Sequence, residues 1–173
     1  MPTTSTRYQE LVDDLRQTSL LASCASVLGW DEQTYLPPGG AEHRANQLSL
    51  LAGLVHERAT SPRRGQLLTA LEGEGAAADP SSAEAALLRE ARHDYDRATR
   101  LPRSLVEEIS RVTTLSQQAW VEARKTSRFS QFLPWLEKVV SLKRQEAEAI
   151  GYDGGVPYDA LLDAYEPGAK TDE

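Results

Sequence analysis

Two short stretches carry the side chains best suited to metal chemistry. His56-Glu57-Arg58-Ala59-Thr60 begins like a zinc protease helix. In such a helix two histidines four residues apart share one face, and the glutamate between them activates water. The second histidine would be residue 60, which is threonine. A single imidazole supplies one ligand, and the geometry comes from the pair, so His56 reads as an ordinary histidine near a helix end. His93-Asp94-Tyr95-Asp96 is the second stretch. His93 and Asp94 are helix neighbours pointing about a hundred degrees apart, whereas Asp96, three residues on, is within reach of His93. Two aspartates on a solvent-facing helix side need no other partner than water. With His43 the chain has three histidines, and no pair has metal-ligand spacing. No catalytic and no metal-binding residue is assigned.

Nucleophilic chemistry has less support. Cys24 lies among small and apolar residues of a helical pattern, where a buried, inert thiol is expected. There is no Gly-x-Ser-x-Gly turn and no glycine-rich phosphate loop. The acidic pairs Asp13-Asp14 and Glu107-Glu108 fit solvated helix faces.

The densest stretch is WDEQTYLPPGGAEHRANQ, residues 30–47. It is open to two readings, a catalytic site or a corner that the fold requires, and the residue types favour the corner. Pro37-Pro38-Gly39-Gly40 stiffens and turns the chain. Asp31 and Thr34 can cap or brace backbone groups. Trp30 and Tyr35 are expected to cover the end of a hairpin core. Arg44 and Gln47, three apart on the following helix, can reach back to Asp31 or to loop carbonyls.

The elements that position these residues are helical throughout. Tyr8, Leu11, Val12, Leu15, Ala22 and Ala25 mark a first helix, capped by Thr4, Ser5 or Thr6 and ending near Gly29. Ala41, Ala45, Leu48, Ala52, Val55 and Ala59 mark a second. Ser61-Pro62 is an N-cap with proline at the first helical position, opening a short helix that stops at Gly73. Residues 73–82 form a loop, and Ser81 with Glu84 has capping-box spacing for the next helix. Pro102 opens a fifth. Ser130 caps a sixth, with Pro134 placed in its first turn and Gly151 as its stop. A short helix over 158–165 precedes Glu166-Pro167-Gly168. Thr171-Asp172-Glu173 looks like the start of a further helix. The pattern predicts an all-α fold of about seven helices in antiparallel hairpins, with residues 1–173 as a single helical domain.

The totals narrow the function classes. A net charge of -7 disfavours nucleic acid as a partner, since phosphate binding needs a basic surface. No apolar run is long enough to span a membrane, and the first ten residues lack a signal-peptide core. A single cysteine cannot form an internal disulfide. A cytoplasmic location is the expectation.

Residues 30–47 resemble the N-terminal signature of the carboxypeptidase Taq family of zinc metallocarboxypeptidases. That pattern runs Trp-Asp-x-x-Thr-x-Met-Pro-x-Gly-x-x-x-x-Arg-x-x-Gln. Trp30, Asp31, Thr34, Pro37, Gly39, Arg44 and Gln47 match it, and Leu36 stands where the family usually has methionine. LSLLAGLVHERAT (48–60), REARHDYDRATRLP (89–102), FLPWLEKVV (132–140) and PYDALLDAYEPG (157–168) are similar to the family in the same order. The resemblance implies the N-terminal part of a longer enzyme, whose helices form a wall and lid over a deep groove in proteins that are typically homodimers. The family's His-Glu-x-x-His helix, its third glutamate ligand and its substrate-carboxylate residues lie later and match nothing here. Zinc is therefore expected only in full-length members, with no cofactor in this chain.

Two function classes follow. The chain is either a piece of an enzyme, without peptidase activity alone, or an interaction protein that binds itself or a full-length carboxypeptidase. A metal hydrolase built on His43, His56 or His93 is the outsider. A homodimer or a carboxypeptidase Taq-like catalytic partner is the expected assembly.

Overall fold

A computed structural model describes residues 4–76, 78–152 and 154–172. It is built of helices α1 (Thr4–Thr34), α2 (Ala41–Ala59), α3 (Pro62–Gly73), α4 (Ala83–Thr99), α5 (Arg103–Thr126), α6 (Phe129–Ile150) and α7 (Pro157–Leu162). One 3-10 turn, Pro38–Gly40, leads into α2. No strand occurs among the described residues.

Helices α2 and α3 follow one another along α1 in the direction opposite to it, α4 runs back against α3 and α5 back against α2, and polar links mark the registers. Asp14 on α1 receives Arg58 from α2 at 3.2 Å and Arg64 from α3 at 2.7 Å, so one carboxylate ties three helices together. Glu72 on α3 meets Arg92 on α4 at 2.8 Å. Arg111 on α5 reaches Glu42 and Asn46 at the start of α2, and Arg103 reaches Glu57 near its end at 2.8 Å. Lys138 on α6 pairs with Glu108 on α5 at 2.6 Å. Beneath these links Leu11, Leu67, Leu68, Leu71, Leu88 and Ala91 form a buried core between α1, α3 and α4. A smaller cluster of Ala147, Ile150 and Ala160 seats α7 against α6.

Several boundaries depart from the sequence expectation. The first helix does not end near Gly29 but continues to Thr34. A helical glycine costs only about 1 kcal/mol relative to alanine, and the prolines that stop the helix come later. The amides of Tyr35 and Leu36 both donate to the Asp31 carbonyl, at 2.9 and 3.0 Å, and close the last turn. Thr4, Ser5 and Thr6 belong to the first helical turn.

The cap of α4 is Ser82, whose hydroxyl accepts from the Ala85 amide at 3.1 Å. Ser81 is diverted, since its amide and hydroxyl both donate to Asp79 Oδ1. Helix α6 starts at Phe129, placing Ser130 inside it and Pro134 beyond the first turn, where the missing N–H deprives the Ser130 carbonyl of its usual donor. Helix α7 stops at Leu162, short of Tyr165. Thr171 and Asp172 form a turn in which Thr171 donates to Asp159 through its amide and its hydroxyl, while Glu173 lies outside the described residues.

Ser61 does cap α3, accepting from the Arg64 amide at 3.3 Å. Gly151, at φ 84°, ends α6. Ser127, at φ 51°, occupies the left-handed region, so that two residues suffice to connect α5 to α6.

Candidate functional site

The 30–47 stretch folds as the last turn of α1, a proline-stiffened bend and the first two turns of α2. Pro37 is extended, at φ -67° and ψ 149°, and Pro38 opens the 3-10 turn, closed by the Gly40 amide on the Pro37 carbonyl at 2.8 Å. Arg44 is the centre of the bend. It is 8% exposed and spends its guanidinium on three acceptors. Nε donates to Gln47 Oε1 at 3.0 Å, Nη2 to Asp31 Oδ2 at 2.6 Å, and Nη1 to the Leu28 carbonyl. That carbonyl belongs to the last turns of α1, so Arg44 fastens α2 to the side of the helix before it.

The structure thus brings Asp31, Arg44 and Gln47 together. It does not bring in the aromatic pair. Trp30 is 59% exposed and Tyr35 74%, so neither covers the hairpin core; they pack edge to face on each other, 5.5 Å between ring centres. Thr34 donates to the Trp30 carbonyl of its own helix at 2.8 Å and braces no loop group. Gly39 has open space where a side chain would stand, whereas a Cβ on Gly40 would meet Leu36 Cδ1 at 2.7 Å. The close side-chain approach thus falls one residue after the signature position, against the tip of a leucine that can shift. Burial raises the carboxyl pKa of Glu32, beside Asp31, against the opposing pull of Arg44.

The histidines stay apart. His43 is exposed near the start of α2. His56, near the end of α2, is held below the usual imidazole range by burial, with its hydrogen bond to the Leu101 backbone pulling the other way. His93 Nε2 stands 2.9 Å from Asp163 Oδ2, while Asp96 turns instead to Arg92 at 3.5 Å. Cys24 is exposed on α1, contrary to a buried thiol. No group of three or more His, Cys, Asp or Glu among the described residues is placed to hold a metal ion. A zinc ion therefore finds no fitting donor set among the described residues.

A second polar cluster escaped the sequence reading. His93, Arg97 and Arg100 follow the i, i+4, i+7 spacing of one α4 face, a signal visible in the sequence. Their partners lie some fifty to seventy residues away. Asp163 takes His93 and Arg97, and the Ile150 carbonyl accepts from Arg100 at 2.6 Å.

Comparison with known proteins places this arrangement. The family model described as carboxypeptidase Taq (M32) metallopeptidase matches residues 10–173. Thermostable carboxypeptidase 1 of Thermus thermophilus is 39% identical over 174 residues, covering 96% of this chain and 34% of the relative. The crystal structure of BsuCP superposes with a TM-score of 0.88 at 28% identity, over 96% of this chain and 33% of that one. The M32 carboxypeptidase of Deinococcus radiodurans R1 gives 0.70 at 36% identity, with the same coverages. The chain spans about a third of the length of these relatives. A match running through nearly every described helix, with the Asp31–Arg44 bend inside it, shows that the chain belongs to the carboxypeptidase Taq (M32) metallopeptidase family.

Proposed function

We propose that this chain is the helical N-terminal wall of a carboxypeptidase Taq-type enzyme, shaping and covering a substrate groove whose chemistry is done by other residues. One observation carries the reading. The chain matches its family over almost its whole length yet spans a third of its relatives, and its 173 residues hold no His-Glu-x-x-His. In the whole enzyme, zinc-activated water would attack the last peptide bond of the substrate. The residues present here would position that substrate and exclude solvent. Purified chain, supplied with zinc or cobalt, should not hydrolyse blocked dipeptides. Activity that survives stringent purification and disappears in His56→Ala would sink the proposal.

The exposed apolar side chains favour a second reading, in which the chain is an interaction protein. Leu20, Val27, Trp30 and Tyr35 stand exposed along the end of α1, and Phe129 and Tyr165 elsewhere. Contiguous exposed apolar surface beyond a few hundred Å² marks interfaces. A second copy, pairing about a two-fold axis, or a full-length carboxypeptidase would cover them. Light scattering across a concentration series, with and without a full-length family member, separates the readings. A strict monomer that ignores the enzyme leaves the interaction reading without support.

A further inference from the structure

A cavity of about 220 Å³ opens between α4, the start of α7 and the segment that follows it. Its charged lining is His93, Arg97, Arg100, Asp159, Asp163 and Lys170. The two carboxylates in it are already used. Asp159 Oδ1 accepts from the Thr171 amide at 3.0 Å and hydroxyl at 2.8 Å, and Oδ2 accepts from the Val156 amide at 3.1 Å. Asp163 Oδ1 accepts from the Gly168 amide at 3.0 Å, and Oδ2 faces both His93 and Arg97. Thr171 holds the Asp159 carboxyl below its ordinary range. Burial pushes Asp163 up, but the Gly168 amide, His93 and Arg97 together outweigh it and hold it low. Both groups are ionised at neutral pH, with most of their acceptor capacity filled.

The cations are not used up in the same way. Arg97, its side chain 17% exposed, gives one N–H to Asp163 at 3.4 Å. Arg100 gives one to the Ile150 carbonyl. Lys170 is exposed and makes no hydrogen bond or ion pair among the described residues, although its charge helps hold the Asp159 carboxyl low. A guanidinium offers five N–H donors and an ammonium three, so among the described residues most of the donors lining this cavity have no protein acceptor, those of the exposed Arg100 and Lys170 facing solvent. Three fixed cations also face only two carboxylates. The lining thus carries one more fixed positive charge than negative. Its volume is that of roughly seven waters at about 30 Å³ each, which suits a small anion with its hydration and is too small for a folded segment.

We propose that this cavity binds a small oxyanion, a phosphate or carboxylate group, gripped by Arg97 and Arg100 with Lys170 closing over it. Guanidinium forks match the paired oxygens of either group, and the ammonium adds a point charge. The site is independent of the enzyme-wall reading above and would stand if that reading fell.

The test is a titration of the 173-residue chain, at constant ionic strength in sodium chloride, with inorganic phosphate and separately with acetate. Amide resonances of Gly151, Gly168 and Lys170, and the Arg97 side-chain N–H, report occupancy by NMR. Saturable shifts confined to these groups are expected. Lys170→Gln should lose up to about fivefold in affinity, Arg97→Gln should abolish the shifts, and Arg63→Gln, on the far side of α3, should leave them unchanged. Saturation by phosphate alone identifies a phosphate-bearing ligand, and saturation by both anions a general oxyanion site. No saturable shift with either anion, or saturation untouched by Lys170→Gln and Arg97→Gln, overturns the proposal. Lys170 has no bond to lose, so its variant keeps the test decisive if Arg97→Gln fails to fold.

Discussion

Arg44 Nη2 lies 2.6 Å from Asp31 Oδ2, joining the first turns of α2 to the end of α1 across the proline bend. The guanidinium is nearly buried, so deleting it removes the donors to Gln47, Asp31 and the Leu28 carbonyl at once and leaves a gap between α1 and α2. Arg44→Ala should cost about 1–3 kcal/mol. Arg63 pairs with Glu10 in solvent, and Arg63→Ala should lower the melting temperature far less. Equal melting temperatures for the two variants would show that the bend does not depend on Arg44.

Trp30 and Leu11 should behave oppositely despite sharing a helix. Leu11 is 0% exposed at the centre of the α1–α3–α4 core, and Leu11→Ala should cost about 2–5 kcal/mol. Trp30 is mostly in solvent, and Trp30→Ala should change the stability of this chain by less than about 1 kcal/mol. Chemical denaturation of both variants gives the comparison. A loss at Trp30 as large as that at Leu11 would mean that the ring is covered in solution, and light scattering would then show by what.

Two glycines sit where helices approach closely, and their replacements should differ. A Cβ on Gly65 would lie 2.5 Å from Tyr95 Oη and 2.8 Å from Cζ, against a ring packed into the core. Gly65→Ala should therefore destabilise by about 1–3 kcal/mol. A Cβ on Gly53 would run into the Glu107 carboxylate and lie 3.0 Å from Arg103 Nε, the two ends of a partly exposed ion pair between flexible side chains. Glu107 can swing away, and alanine gains about 1 kcal/mol of helix propensity, so Gly53→Ala should be close to neutral. Thermal melts in which Gly53→Ala is the worse variant would reverse this account of the two contacts.

His56 should give stability a pH dependence. Burial depresses its pKa in the folded chain, so the unfolded chain binds the proton more readily. The contribution is fully present above the ordinary histidine pKa of about 6.5 and is lost as the pH falls below it towards the depressed folded value. Urea melts at pH 8 and pH 5.5 should show a drop that His56→Gln reduces. An identical drop in the variant would assign the titration to another group.

Local signals were legible in the sequence where one neighbour decides the outcome. Ser61 before Pro62 caps α3 because nothing nearby competes for its hydroxyl, and Gly151 ends α6 by its own backbone freedom. Ser81 is not the cap: its amide and hydroxyl turn back to Asp79, and Ser82, one residue closer to the helix, accepts from the Ala85 amide. The reach of Arg44 to Asp31 was legible because both ends lie within one bend. The exposure of Trp30, Tyr35 and Cys24 was not, since burial depends on which helix packs alongside, and periodicity does not say. The pairing of His93 with Asp163 spans seventy residues, and only the α4 half of it leaves a spacing to read.

The uninterrupted α1 has a mechanical consequence. At about 1.5 Å per residue, its 31 residues make a spar about 46 Å long. Glu74 holds one end through Thr4 and Arg7, and Arg44 holds the other. With no proline inside it, the spar transmits a push rather than absorbing it. Between those ends Asp14 and the buried Leu11 fasten it to α2, α3 and α4, so the spar is held along its whole length and the helices laid against it keep their spacing with it.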